Sequence, residues 1–217
     1  MSNISLYTYY RSSAAYRVRI ALNYKSLSYH SEYIHLLKEG GQEKTAAYQQ
    51  INPQKLIPSL VADGHIMTQS LAIIEYLDEK YPDPPLLPSS PEKRAQVRAL
   101  AQSIACDIHP LDNLRVLTYL DKTLGLGKPQ RDQWYCYWIA QGFSAIETLI
   151  SKENKNYPFC YGHEISLADI FLIPQVYNAH RFNCSVQEYV NINRVYKNCM
   201  ELAVFQMAAP EAQGDCE

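Results

Sequence analysis

The spacing of apolar and polar positions changes several times along the chain, and each change marks an element. Residues 4–9 alternate as a β-strand does, and residues 14–23 place Ala14, Val18, Ala21 and Leu22 at helix spacing. A second strand is expected over residues 28–36, a loop at Lys38-Glu39-Gly40-Gly41-Gln42, and a short helix over residues 45–50. Residues 60–67 hold Asp63-Gly64 between two strand-like runs, a strong hairpin signal. A helix over residues 71–81 follows, with Ser70 as its expected N-cap and Pro82 just past its end. Strand, helix, strand, hairpin, helix makes a small mixed sheet carrying helices.

The stretch Pro82-Asp83-Pro84-Pro85-Leu86-Leu87-Pro88-Ser89-Ser90-Pro91 cannot continue a helix or lie inside a sheet, because proline lacks the amide donor and restricts the residue before it. Beyond it only helical periodicity remains. Three parts are therefore expected: an α/β domain over residues 1–84, a linker over 85–91 and an all-α domain over 92–217. In the last, Pro91 opens a helix bearing Val97, Leu100, Ile104 and Ile108, with a kink at Pro110. A long helix over 129–152 is expected to set Trp134, Trp138, Ile146 and Leu149 on one side. Ser166-Leu167-Ala168-Asp169, preceded by Ile165, has the form of a capping box with a hydrophobic staple. Residues 210–217, small and polar, read as a mobile tail.

Composition narrows the classes. Hydrophobic residues make up 47% and charged residues 19% of 217 positions, so the chain can bury a core and carries no membrane-spanning run. A formal charge of -2 gives no reason to expect a nucleic-acid partner, and any anion must be held locally. The start of the chain has neither the basic nor the apolar region of a secretory signal, so a cytoplasmic location is expected. Cys106, Cys136, Cys160, Cys184, Cys199 and Cys216 form no C-x-x-C and are expected to be free thiols. The six histidines show no metal-ligand spacing, and no metal site is expected.

Two serine-headed helix starts carry the candidate chemistry. Amides and the positive dipole end at Ser12-Ser13 and at Ser70 can hold a carboxylate or a thiolate, and a serine hydroxyl there would lower a thiol pKa from about 8.5. Equally, serine is a preferred helix cap, and both readings stand on residues alone. Ile57-Pro58, ahead of the hairpin, is either a cis bond or an ordinary turn proline. Tyr7 and Tyr9 share one strand face, and at least one is expected in the core.

The run Tyr10-Arg11-Ser12-Ser13-Ala14-Ala15-Tyr16-Arg17-Val18-Arg19-Ile20-Ala21-Leu22 resembles the signature of zeta-class glutathione transferases, the maleylacetoacetate isomerases. The likeness continues through Lys38-Glu39-Gly40-Gly41-Gln42, Asn52-Pro53, Ile57-Pro58-Ser59-Leu60, Gln69-Ser70-Leu71-Ala72-Ile73-Ile74, Pro110-Leu111-Asp112-Asn113-Leu114 and Ile173-Pro174-Gln175 to Phe182. It implies a thioredoxin-like N-terminal domain, an all-helical C-terminal domain, a homodimer and glutathione as cofactor. It also implies roles: Ser13, with Ser12 beside it, for the thiolate; Gln69 and Ser70 for the γ-glutamyl end; Ile57 for the cysteinyl backbone; Gln42 for the glycyl end; and His109 as a further glutathione contact. Arg11, Arg17, Asn113 and Arg181 are the candidates to hold a small dicarboxylate substrate, arginine being suited to bidentate pairing. Ala14 stands where the family usually has cysteine. The implied activity is cis–trans isomerisation of maleylacetoacetate in tyrosine and phenylalanine catabolism. Two alternatives remain, a broader transferase acting on α-halo acids or other electrophiles and a non-catalytic binding module.

Overall fold

The computed structural model describes residues 4–153 and 156–217. Contacts divide the chain into two units, residues up to Pro85 together with Leu202–Glu217, and Leu86–Glu201.

The first unit runs β1 (Ile4–Thr8), α1 (Ser13–Tyr24), β2 (His30–Tyr33), α2 (Ala46–Ile51), β3 (Ser59–Ala62), β4 (His65–Thr68) and α3 (Ser70–Lys80). Its sheet has the order β2-β1-β3-β4, with β1 parallel to β2 and antiparallel to β3, the thioredoxin-like arrangement. The hairpin turns at Asp63 and Gly64, both at positive φ, as a tight two-residue turn between right-twisted strands demands. Leu6 on β1 and Leu60 on β3 face each other across the sheet, both fully buried. Ile57-Pro58 is cis.

One buried cation organises this unit. Arg19, on α1 and wholly inaccessible, donates from Nη1 to Thr8 Oγ1 at 3.0 Å and to the Tyr9 carbonyl at 3.3 Å. Its Nη2 donates to the Tyr10 carbonyl at 3.1 Å and its Nε to the Ala208 carbonyl at 2.9 Å. Burial lowers its pKa to about 10, which leaves it charged at neutral pH. The planar fork suits this cluster of oxygens; an ammonium would not span it.

Ala208 belongs to the closing segment, and here the expectations from the sequence fail. Residues 210–217 are not a loose tail. Tyr16 Oη donates to the Phe205 carbonyl, Asn23 Nδ2 to the Val204 carbonyl, and the Tyr10 amide to Asp215 Oδ2 at 3.0 Å. The segment is held by partners far away in sequence, which local composition cannot show.

The second unit is helical: α4 (Pro91–Gln102), a π-helical turn (Ser103–Ile108), α5 (Leu114–Lys122), α6 (Lys128–Ser151), α7 (Leu167–Arg181) and α8 (Val190–Met200). The first unit's α9 (Ala203–Gln206) follows it. The irregularity expected at Pro110 comes earlier, where the His109 amide bonds the Ile104 carbonyl across a widened turn. There Ile108 packs so closely on α6 that a Cβ at Gly142 would sit 2.1 Å from its Cδ1; only glycine admits the contact. The capping box forms, with Asp169 Oδ2 accepting from the Ser166 amide at 2.9 Å.

Two further expectations are corrected. The buried stripe of α6 is Tyr135, Ile139, Phe143, Ile146 and Ile150, while Leu149 is exposed, because the neighbours of α6 set its inward face. Cys136 and Cys184 are not free thiols but form a disulfide, their Cα atoms 5.1 Å apart although 48 positions separate them in sequence. Cys106, Cys160, Cys199 and Cys216 are free.

Two stability predictions follow from these contacts. Arg19→Met keeps the apolar stem but strands three carbonyls and a hydroxyl, and is expected to cost about 3–5 kcal/mol in urea denaturation. Closing a loop of this length is worth up to about 4 kcal/mol by chain entropy, so reduction, or the pair Cys136→Ala with Cys184→Ala, should lower stability by no more than that. An unchanged midpoint for Arg19→Met in that assay would contradict the first statement, and a loss well above about 4 kcal/mol on removing the disulfide would contradict the second.

Candidate active site

The end of β1 delivers the chain into the turn that opens α1. Ser12 is the N-cap, its Oγ accepting from the Ala15 amide at 3.2 Å, and Ser13 is the first helical residue, buried to 6% exposure. No acidic residue lies in the first turn of α1, the end where a negative charge is favoured. Ala14 is buried on the same turn.

The start of α3 differs from the sequence expectation. Ser70 is not the cap but the first helical residue; Gln69 is the N-cap, at φ 69°. A left-handed glutamine costs about 1–3 kcal/mol of backbone strain, a cost associated with binding sites. The exposed Gln69 side chain donates to Gln54 Oε1 at 2.9 Å. This turn too is free of acids.

Arg17 joins the two helix starts. It is buried on α1, and its Nη1 donates to Ser70 Oγ at 3.3 Å. That placement makes it a positioning group for Ser70 rather than a residue presented to a substrate. Arg11 is exposed, its guanidinium 4.9 Å from the Tyr10 ring centre. Ile57 is buried in a cluster with Tyr9, Tyr10 and Tyr48.

Gln42 opens a 3-10 turn after β2 and accepts from the His35 amide at 2.9 Å. It lines a cavity of about 370 Å³ with Tyr33, His35, Lys38 and the segment Gly214 to Glu217. His35, Lys38 and Glu217 were not singled out as site residues from the sequence. Lys38 lay within a quoted motif, but its partner at position 217 is visible only in the fold.

The tyrosines fall as the strand pattern requires, Tyr9 inward and Tyr7 half-buried against Tyr48. Burial raises the Tyr9 hydroxyl to about 12, which keeps it a neutral phenol.

The second unit holds the other candidates. His109 caps the π-helical turn, and Asn113 caps α5, its Oδ1 accepting from the Arg115 amide at 3.1 Å. Arg181, exposed at the end of α7, lies 4.7 Å from the Phe182 ring centre, and its charge bears on the buried Tyr135 hydroxyl. Phe182 in turn stacks on Tyr135 at 3.7 Å between ring centres, so Arg181 sits on a rigid aromatic pair. Between His109 and Asn113 lies a residue whose carboxyl the sequence gave no reason to weigh. Asp112 is buried, neither of its oxygens has a hydrogen-bond partner among the described residues, and burial raises its pKa to about 8.

The chain matches the family model described as glutathione S-transferase, N-terminal domain, over residues 6–85. Across 99% of both chains it is 46% identical to a probable maleylacetoacetate isomerase of Vibrio cholerae. The chain belongs to the zeta-class glutathione transferases, the maleylacetoacetate isomerase family. A solved maleylpyruvate isomerase of this bacterial zeta class superposes with a TM-score of 0.95 at 42% identity, covering 98% of this chain and all of that one (100%). Another family structure, a maleylacetoacetate isomerase from Anaeromyxobacter dehalogenans, holds dicarboxyethyl glutathione and citrate in its active site; it is 36% identical, with a TM-score of 0.86, over 100% of this chain and 94% of that one.

Asp112 yields a pH prediction. The unfolded chain ionises this carboxyl near pH 4 and the folded one near 8, so stability falls as pH rises between those values and is constant above them. Asp112→Asn removes the penalty. Its unfolding free energy should match the parent at pH 4 and exceed it by a few kcal/mol at pH 8; an equal gap at both pH values would refute the assignment.

Proposed function

We propose that the chain catalyses the glutathione-dependent cis–trans isomerisation of maleylacetoacetate to fumarylacetoacetate. The carrying observation is the Ser12-Ser13 turn, a buried hydroxyl at the start of a helix whose first turn holds no acid, in a chain of this family. Glutathione suits the residues present: a thiolate belongs at Ser13, and a γ-glutamyl carboxylate at the acid-free start of α3, where Arg17 steadies the Ser70 hydroxyl.

When bound, glutathione supplies a thiol that adds to the cis double bond, allows rotation about the resulting single bond, and is regenerated on elimination. The chain's own work is electrostatic. Ser13 donates a hydrogen bond to sulfur and, with the helix start, favours its ionised form. Arg11 and Arg181 hold substrate carboxylates, and Arg181 is aimed by its contacts to Tyr135 and Phe182. His109 and Asn113 keep the roles that the resemblance gives them, Asn113 through its amide nitrogen because Oδ1 is committed to the α5 cap. A homodimer is the assembly that goes with this reading.

Maleylpyruvate is a second substrate to weigh, since a relative of that name superposes across nearly the whole chain. The test is isomerisation of maleylacetone and of maleylpyruvate, each with and without glutathione. Turnover that needs the tripeptide supports the proposal, and the larger kcat/KM identifies the preferred acid. Ser13→Ala is expected to lower kcat by about 10²–10³-fold while changing glutathione affinity much less. Equal turnover would remove Ser13 from the mechanism.

A further inference from the structure

The cavity beside Gln42 contains a small anion-binding arrangement, and a side chain of the protein itself is sitting in it. His35 Nδ1 accepts from the amides of Leu37 and Lys38, at 3.1 and 2.9 Å. With Nδ1 acting as acceptor, the ring proton of a neutral His35 must lie on Nε2. That nitrogen is buried, has no hydrogen-bond partner among the described residues, and stands 3.6 Å from Glu217 Oε2. Lys38 Nζ pairs with the other Glu217 oxygen, Oε1. Gln42 contributes an amide nitrogen that makes a long contact, 3.4 Å, to Glu39 Oε2. Three donors of this kind make a carboxylate cradle.

We propose that the Glu217 side chain is an internal competitor for this cradle, which glutathione must displace in order to seat its glycyl carboxylate on Lys38, His35 and Gln42. The inference rests on the glutathione reading above and adds a regulatory element to it.

Three features make the 214–217 segment fit to act as a latch. Asp215 is anchored by the Tyr10 amide, so Glu217 can leave the cradle while the chain before Asp215 stays in place. Gly214 permits a close pass over Tyr33, since a Cβ there would fall 2.7 Å from the phenol oxygen. The Glu217 carboxyl and Lys38 are about half exposed, so the pair is weak and can open at little cost. The Lys38 contact, aided by His35, also holds the Glu217 carboxyl below its usual range, keeping it an anion at neutral pH. Two carboxylates cannot share one lysine and one imidazole N–H without repelling each other, so occupation is exclusive.

Calorimetric titration of the full chain with glutathione and with its glycyl monoethyl ester tests this. Glu217→Gln keeps the shape and removes the charge. It is expected to tighten glutathione binding about two- to five-fold at low salt, the range for a half-exposed ion pair, with the gain shrinking at high salt. The ester, which has no glycyl charge to compete, should bind parent and variant alike. Lys38→Met should weaken glutathione binding and abolish the gain from Glu217→Gln. Equal glutathione affinity in parent and Glu217→Gln, or the same gain for the ester, would overturn the proposal. No glutathione binding by any of these proteins would instead overturn the reading of the site, and the latch with it.

Discussion

The structure depends on a buried positive charge whose hydrogen bonds, among the described residues, go to a hydroxyl and carbonyls rather than to a carboxylate. Arg19 is neutralised by oxygen dipoles, the hydroxyl of Thr8 and the carbonyls of Tyr9, Tyr10 and Ala208. Burying a guanidinium is expensive unless its donors are used, and four of its hydrogen bonds go to atoms that fix chain direction. Three of these lie at the end of β1, immediately ahead of the Ser12-Ser13 turn. A serine that must meet a sulfur atom within a few tenths of an ångström cannot sit on a loose loop. Arg19 makes the loop rigid. The fourth bond holds the closing segment, whose Asp215 then takes the Tyr10 amide, so the constraint that aims the serine turn also brings Glu217 to its cradle.

Neither α1 nor α3 has an acid in its first turn, and the nearby Tyr9 remains a neutral phenol. Arg17 is turned inward to Ser70. Its burial gives a physical reason for an arginine two positions from Arg19 on the same helix: both face the protein, one toward the start of α3 and the other toward the end of β1.

What the sequence made legible was whatever depends on neighbours in the chain. The Asp63-Gly64 hairpin, the Ser166–Asp169 capping box and Pro91 at a helix start are set by a few consecutive residues, and each is found where its pattern put it. What escaped was set by residues far apart. The Cys136–Cys184 bond, the burial of residues 202–217 on the first unit and the inward face of α6 all depend on tertiary neighbours. Ser70 shows the boundary case. A serine beside a helix start was rightly placed to within one residue, but only the backbone reveals that Gln69 takes the left-handed cap position and leaves Ser70 free to be held by Arg17. The motif pointed to the candidate site, while Arg19, His35 and Asp112 lay in stretches whose local pattern was already explained.

Ala14 bears on how the thiol is activated. Where relatives by resemblance carry a cysteine, this chain has a buried methyl group at the second position of α1. A protein thiol there would face the same dipole end and be drawn toward ionisation itself, competing for the stabilisation offered to a visiting sulfur. Alanine removes that competitor and, with the highest helix propensity, helps hold the first turn in register. On the proposed reading, sulfur activation falls to one hydroxyl and the backbone amides at the start of α1. Such a device depends little on side-chain titration and greatly on geometry, which is why the Arg19 contacts behind it matter more to the chemistry than any ionisable group beside it.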